Sequence, residues 1–428
     1  MKITEVKSAF VNEKLKSPFG FKGGYLTELR QVVCGVKTEK AFGVGVGVQS
    51  VLWSDEKLFI SNTENQGNAY MYAVTEYALN LLRGREGETP MELTDAIFPQ
   101  TLSYARTLTN VRENLRETFV RNALVAVDNA LWVAYAKEMG TEDFLEVVPK
   151  EYSVCLAQKH DKLCNVPLIS YGVSKEEIKR LLDFGTVLLK IKIGFDDNGK
   201  MDKSQMLEWD KARLKEVHSV AEGYKTEYTE SGKILYYLDA NGKYDSADRV
   251  KEFISYAKEI GAYDSIVLFE EPFPEEEAIS VKGIKMRFAA DESVHSVSDV
   301  EKRIALGYTA VTLKPIAKTL TETLKILKKA KENDVLCFCA DLTVNPLLVE
   351  WNKNVAARIN KLPEMKIGIL ESNGEQNYER WKYLYSASPM GNKDFAVCKN
   401  GLYNLNKEFF SCSGGIFRDS EYYLKLLK

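Results

Sequence analysis

The sequence is poor in the residues that most often advertise a site. It has three histidines in 428 residues, no Cys-x-x-Cys pair, no low-complexity linker and no short exact repeat. Its seven cysteines (Cys34, Cys155, Cys164, Cys337, Cys339, Cys398 and Cys412) are scattered and odd in number, which argues against a disulfide framework or a zinc site. Cys337 and Cys339 share one face of the apolar run VLCFCA, where packing is the simplest role. A net charge of −3 offers no global field to nucleic acid or acidic lipid. The N-terminus, MKITEVKSAFVNEKLKS, alternates polar and apolar residues and lacks the apolar core of a signal peptide, so a cytoplasmic protein is expected. What remains is an ordinary globular composition, 45% hydrophobic and 28% charged. The length suits two or more domains, or one large barrel with an additional domain.

From about residue 166 onward an apolar, β-branched segment is repeatedly followed by a charged amphipathic one, the pattern of a parallel sheet with crossover helices. Strands are expected at 166–172, 187–194, 234–242, 265–272, 286–293, 308–315, 335–342 and 366–374. Eight of them suggest a closed (β/α)8-type barrel; periodicity alone leaves an open doubly wound sheet as the alternative. Residues 1–145 differ. KITEVKSAFV, YLTELRQVVCGVKTEK and AFGVGVGVQSVLW read as an antiparallel meander, followed by helices of which ETFVRNALVAVDNALWVAYAKEMG is the longest. This predicts an α+β domain over 1–145, completed by the aromatic and Gly-rich tail of about 390–428, and a barrel over 146–389. The charged stretch 200–233 reads as a long crossover helix with an added hairpin or loop.

Barrel strands point their C-terminal ends at a common site. Asp239 ends the third strand, Glu270 and Glu271 the fourth, Asp291 and Glu292 the fifth. Any one of these acids could simply cap the next helix. Three strands in succession ending this way crowd like charges together, which is unfavourable without a cation. All-oxygen ligation by Asp239, Glu270 and Asp291 favours Mg²⁺, with Mn²⁺ the alternative.

The second strand, LLKIKIGF, adds a second oddity. Side chains alternate along a strand, so Lys190 and Lys192 share one face and Leu189, Ile191 and Ile193 the other. Facing inward, both ammonium groups would lie near the acids, with Lys314 at the end of the sixth strand across the barrel mouth. A lysine beside another lysine and a metal can titrate near ~7–8 and serve as a general base. The competing role is structural, ion pairs that hold the barrel strands together.

The set KIKIG (190–194), LDANGKY (238–244), FEEPF (269–273), AADES (289–293) and VTLKP (311–315), in this order, resembles the enolase superfamily and, within it, the muconate lactonizing enzyme subgroup. A helix like ALVAVDNALWVAYAKEMG also precedes the barrel in that family. The resemblance implies a modified (β/α)7β barrel under an α+β capping domain. It makes Asp239, Glu270 and Asp291 metal ligands, with Glu271 and Glu292 behind them. Lys192 and Lys314 become an acid/base pair on opposite faces of the substrate, with Lys190 beside the substrate carboxylate and Glu371 near it. The implied chemistry is Mg²⁺-assisted abstraction of the proton α to a carboxylate through an enediolate. Racemisation or epimerisation is the first expectation, with cycloisomerisation close behind. A lyase (a sugar-acid dehydratase or an o-succinylbenzoate synthase-like enzyme) and a non-catalytic ligand-binding relative are the alternatives. The implied partner is a small carboxylate, and a homo-oligomer is implied by resemblance alone.

Departures narrow the match. None of His160, His218 and His295 stands at the end of the seventh strand, where the mandelate racemase and sugar-acid dehydratase groups carry their catalytic histidine. ILESNGEQNY has no Asp-x-Asp pair of the kind that holds a dipeptide ammonium, and PIAKTLTE follows Lys314 in place of a glycine pair, with Lys318 adding charge nearby. Asp341 and Asn345 could bind a polar substrate or cap a helix. SPFGFKGGYL (17–26) matches the position of a substrate-selecting cap loop, which would bring Phe19, Phe21 and Lys22 over the barrel mouth, with Trp53 in a second cap loop.

Overall fold

The polar and apolar alternation at the N-terminus forms a three-stranded antiparallel sheet of β1 (Ile3–Phe21), β2 (Gly24–Thr38) and β3 (Phe42–Gln49), in that order. The computed structural model describes residues 1–21, 24–111, 114–196 and 200–428, apart from the side chains of residues 19–21 and 24. The roles expected of Phe19, Phe21 and Lys22 therefore fall outside what is described. Helices Glu64–Leu82, Pro90–Thr109 and Glu117–Met139 pack against the sheet. Thr63 and Thr89 cap the first two by accepting the backbone N–H groups of Gln66 and Glu92. Gly140, in the left-handed conformation, ends the third.

Gly43, Gly45 and Gly47 alternate along β3, so they share one face, and that face lies directly on the backbone of Ala126, Ala130 and Ala134 in the third helix. The segment VLW, expected to prolong the strand, is instead a short buried helix, Val51–Ser54.

The parallel sheet contains β4 (Lys162–Val166), β5 (Leu168–Ile169), β6 (Leu188–Lys192), β7 (Leu235–Asp239), β8 (Ile266–Glu270), β9 (Phe288–Ala290), β10 (Ala310–Leu313), β11 (Leu336–Cys339) and β12 (Gly368–Glu371). β4 and β5 are one barrel strand broken by Pro167, which has no N–H for the ladder. Val166 pairs with Glu371 of the last strand and Leu168 with Lys190 of the second, so this segment closes the ring. The first strand thus starts at 162, four residues before its expected position. Helices occupy every interval between strands except 271–287. A short antiparallel strand, β13 (Leu402–Asn404), joins the edge of β4, and Tyr423 and Leu427 pack on the N-terminal sheet. The 200–233 stretch is the helix Lys203–Ala221 followed by a hairpin closed at Lys225 and Lys233. All seven cysteines are free thiols, and Cys337 and Cys339 are buried. Among the described residues no helix is long and apolar enough to cross a membrane.

The helix-free loop 271–287 holds the N-terminal region to the barrel. Glu275 is bonded to Arg116 and lies 3.1 Å from His295 Nε2. Burial opposes its charge, but His295 and Arg116 outweigh burial and hold the carboxyl down at about 2. Its stabilisation is therefore present above the ordinary value of 4.5 and lost as pH falls from there through about 2. Glu275→Gln is expected to cost roughly 2 kcal/mol near neutral pH, after allowance for partial exposure. In thermal melts this deficit should shrink as wild type is acidified below pH ~4.5; a constant deficit would argue against the charge as its source.

Candidate active site

Lateral register brings the sequence motifs together. Lys192 is opposite Asp239, and Asp239 opposite Glu270, so β6, β7 and β8 deliver a lysine and two acids side by side at their C-terminal ends. Asp291 and Glu292 follow β9, and Lys314 follows β10, four strands around the ring from Lys192. All of these side chains are buried.

On the β6 side, Lys190 Nζ lies 3.0 Å from Asp239 Oδ2, 3.4 Å from Glu270 Oε2 and 3.0 Å from Glu371 Oε2, over the ring of Tyr237. Lys192 Nζ lies 2.6 Å from Asp239 Oδ2 and also donates to Asn241 Oδ1. Asn241 in turn donates to Glu292 Oε1 at 2.9 Å. On the β10 side, Lys314 donates to Asp291 Oδ2, and Lys318 donates to the Asp291 backbone carbonyl at 2.7 Å and to Oδ1 at 3.3 Å. Both ammonium groups face the indole of Trp53.

Between the two lysine groups, oxygens of Glu270, Asp291 and Glu292 lie within 4.8 Å of one another. Asp239, the other expected ligand, is turned toward Lys190 and Lys192. Glu270 Oε1 is buried and accepts no hydrogen bond among the described residues. Burial, with Asp291 beside it, raises Glu270 to about 8. An all-oxygen cluster with an unmatched carboxylate oxygen fits a hard divalent cation. Glu271, at φ +39°, turns its Oε2 back to accept from Asp291 N, Ser293 N and Ser293 Oγ, and so shapes the turn that carries Asp291.

Within the protein alone, Lys190 and Lys314 are held above the usual lysine value. Burial opposes the charge of Lys190, but Asp239, Glu270 and Glu371 overcome it and hold the group well above the usual lysine value. Lys314 is likewise pushed up to about 12 by Asp291 and Glu270 against the effect of burial. Each of these two ammonium groups lies against carboxylates, Lys190 on Asp239 and Glu371 and Lys314 on Asp291.

A small cavity opens onto these groups and is lined also by Leu26, Leu29, Trp53, Leu168 and Leu342. Asp341 lines it, yet its carboxylate accepts backbone N–H groups from Leu342, Val344 and Asn373. Asn345 caps the helix Pro346–Ala356 through Leu348 N. His295 lies away from the cluster, on Glu275. Asn241 is a site residue that sequence reasoning missed; its signal is the tight turn LDANG, where it adopts φ +43°.

Residues 174–376 match the family model described as enolase C-terminal domain-like. No curated protein matches the chain in sequence. Among solved structures, an enolase-superfamily member from Enterococcus faecalis V583 described as unknown aligns at 16% identity over 99% of this chain and 97% of its own, with a TM-score of 0.65. An N-succinyl Arg/Lys racemase from Bacillus cereus ATCC 14579 aligns at 14% identity over 95% and 93%, with a TM-score of 0.63. A dipeptide epimerase from Enterococcus faecalis V583, complexed with Mg and L-Leu-L-Tyr, aligns at 16% identity over 89% and 92%, with a TM-score of 0.62. The barrel segment is thus similar to the enolase C-terminal domain-like family, and the chain carries the fold of mandelate racemase/muconate lactonizing enzyme structures.

Proposed function

We propose that the protein is a divalent-cation-dependent enzyme that removes the proton α to a substrate carboxylate, with Lys192 and Lys314 as the two acid/base groups and racemisation or epimerisation as the outcome. The observation that carries this reading is their placement: two buried lysines four strands apart, each bonded to a carboxylate beside one acidic cluster. Each enantiomer of an α-carbon needs a base on its own face, and this arrangement offers both.

Glu270 and Asp291, with Asp239 and Glu292 on either side, are the residues that would hold Mg²⁺ or Mn²⁺. A cation there would supply positive charge to the substrate carboxylate oxygens as the α-proton leaves. Lys190, fixed by Asp239 and Glu371, is placed to bind a substrate carboxylate. Asn241 links the position of Lys192 to that of Glu292. The leucines and Trp53 exclude water from the reacting centre.

The substrate class is a small carboxylate. The racemase and the dipeptide epimerase named above favour an amino-acid derivative. A free ammonium is a poor fit, because Asp341 is committed to three backbone N–H groups. Cycloisomerisation uses the same lysine pair with one member as base, and remains the second reading. We assign the division into a 1–145 capping domain, completed by 390–428, and a 146–389 barrel to this same scheme.

Manganese titration of wild type and Glu270→Gln tests the cation site. Wild type is expected to bind one Mn²⁺, and the variant to lose about 100-fold or more in affinity with its fold intact, because a ligand oxygen is neutralised. Equal affinities would remove Glu270 from the site, and no binding by wild type would overturn the reading.

A further inference from the structure

Among the described residues, Lys318 is the one cation at this centre that the proposed chemistry does not use. It is fully buried and sits one helical turn after Lys314, at the end of the short helix Pro315–Lys318. Its Nζ is 2.7 Å from the Asp291 carbonyl oxygen and 3.3 Å from Oδ1, while Lys314 holds Oδ2. The two lysines thus divide one carboxylate between them, but they are not equivalent. Lys314 lines the cavity and Lys318 does not.

The backbone that carries Lys318 is held from several sides. Thr319 takes φ +72° and ψ 152°, a region that suits glycine, and is kept there while its hydroxyl accepts Glu322 N at 3.1 Å. Asp128 of the long N-terminal helix accepts Thr321 N at 3.1 Å, and Arg121 of the same helix pairs with Glu322 at 2.9 Å. A strained residue pinned by two ion or hydrogen-bond anchors, immediately after a buried lysine, is a device for fixing that lysine. Its bond to a main-chain carbonyl does not depend on what the Asp291 carboxylate does.

We infer that Lys318 is the permanent partner of Asp291, a positioning residue that leaves Lys314 free to exchange its bond for substrate, and that its fixed charge limits how tightly the acidic cluster holds a divalent cation. This rests on the cation site proposed above. Without Lys318, the cluster would carry one more net negative charge and would compete for Lys314 with both Asp291 oxygens.

The test is calorimetric titration of the full-length protein with Mn²⁺, comparing wild type, Lys318→Met and Lys318→Gln. The glutamine variant keeps a donor for the Asp291 carbonyl and so covers the case in which the methionine variant fails to fold. Loss of one positive charge a few ångströms away is expected to tighten Mn²⁺ binding about tenfold. A merely structural lysine would give the opposite, weaker binding through a loosened Asp291. Unchanged or weaker affinity in a variant with a native circular dichroism spectrum overturns the role of Lys318 alone. Absence of Mn²⁺ binding by wild type overturns the cation site and this inference together.

Discussion

Lys192→Ala and Lys314→Ala are each expected to lower the rate of substrate inversion by about 10²- to 10⁴-fold, the usual contribution of a positioned acid or base, while Mn²⁺ binding survives. The two lysines stand on β6 and directly after β10, across the ring from each other. An inverting reaction needs a proton removed on one face and delivered on the other, so either deletion stops inversion. Hydrogen exchange behaves differently. With Lys314 removed, Lys192 can still exchange the proton of the enantiomer that presents its α-hydrogen to β6, and the converse holds for the other variant. Exchange restricted to opposite enantiomers in the two variants, read by NMR in D₂O, would be the signature of two bases. Loss of both enantiomers' exchange in one variant and of neither in the other would reduce the mechanism to one base. Lys192→Arg, which keeps the charge beside Asp239 without a comparable base, is expected to be as inactive as the alanine variant.

The largest stability effect is expected far from this chemistry, at Gly45. A β-carbon there would lie 2.1 Å from the carbonyl oxygen of Ala126 and 2.2 Å from the nitrogen of Ala130. Both are backbone atoms of the helix Glu117–Met139, so no flexible side chain can yield. Gly45→Ala should therefore push the helix off β3, at a cost of about 3 kcal/mol or more. That helix also carries Arg121 and Asp128, which anchor the segment after Lys314, so the damage should reach the site as well. Denaturant unfolding of Gly45→Ala against Gly172→Ala checks the claim. Gly172 has open space at its β-carbon, and its substitution should change stability by no more than ~0.5 kcal/mol. Comparable effects at the two glycines would show that the seam is not closely packed.

Strand order and strand ends were legible because apolar runs broken by acids or lysines recur at each barrel position, and the ends fix what faces the site. The first barrel strand starts earlier than its sequence suggests because Pro167 interrupts a strand whose pairing starts at Lys162. Val51–Ser54 reads as strand in sequence because a short apolar run does not distinguish strand from buried helix. At the site, the sequence could supply the candidate acids but not their grouping. Asp239, expected to ligate, lies on the two lysines of its neighbouring strand, and Glu292 lies close to Glu270 and Asp291. That choice depends on side-chain reach of a few ångströms, which spacing does not encode. The carboxylates that touch Lys190 and Lys314 come from neighbouring strands, contacts that the pattern of a single strand does not reveal. Lys318 was visible as added charge, but its bond to a main-chain carbonyl was not.

The most direct single measurement is deuterium incorporation at the α-carbon when wild-type protein and Mg²⁺ are incubated in D₂O with pooled dipeptides, N-acyl amino acids, amino acid betaines, sugar acids and muconates, followed by NMR and mass spectrometry. Incorporation with inversion in one pool, abolished by chelation and restored by Mg²⁺ or Mn²⁺, is the predicted result. Turnover of a substrate that proceeds unchanged in the presence of chelator, or without solvent deuterium at the α-carbon when its enantiomer forms, would contradict cation-assisted proton abstraction by Lys192 and Lys314.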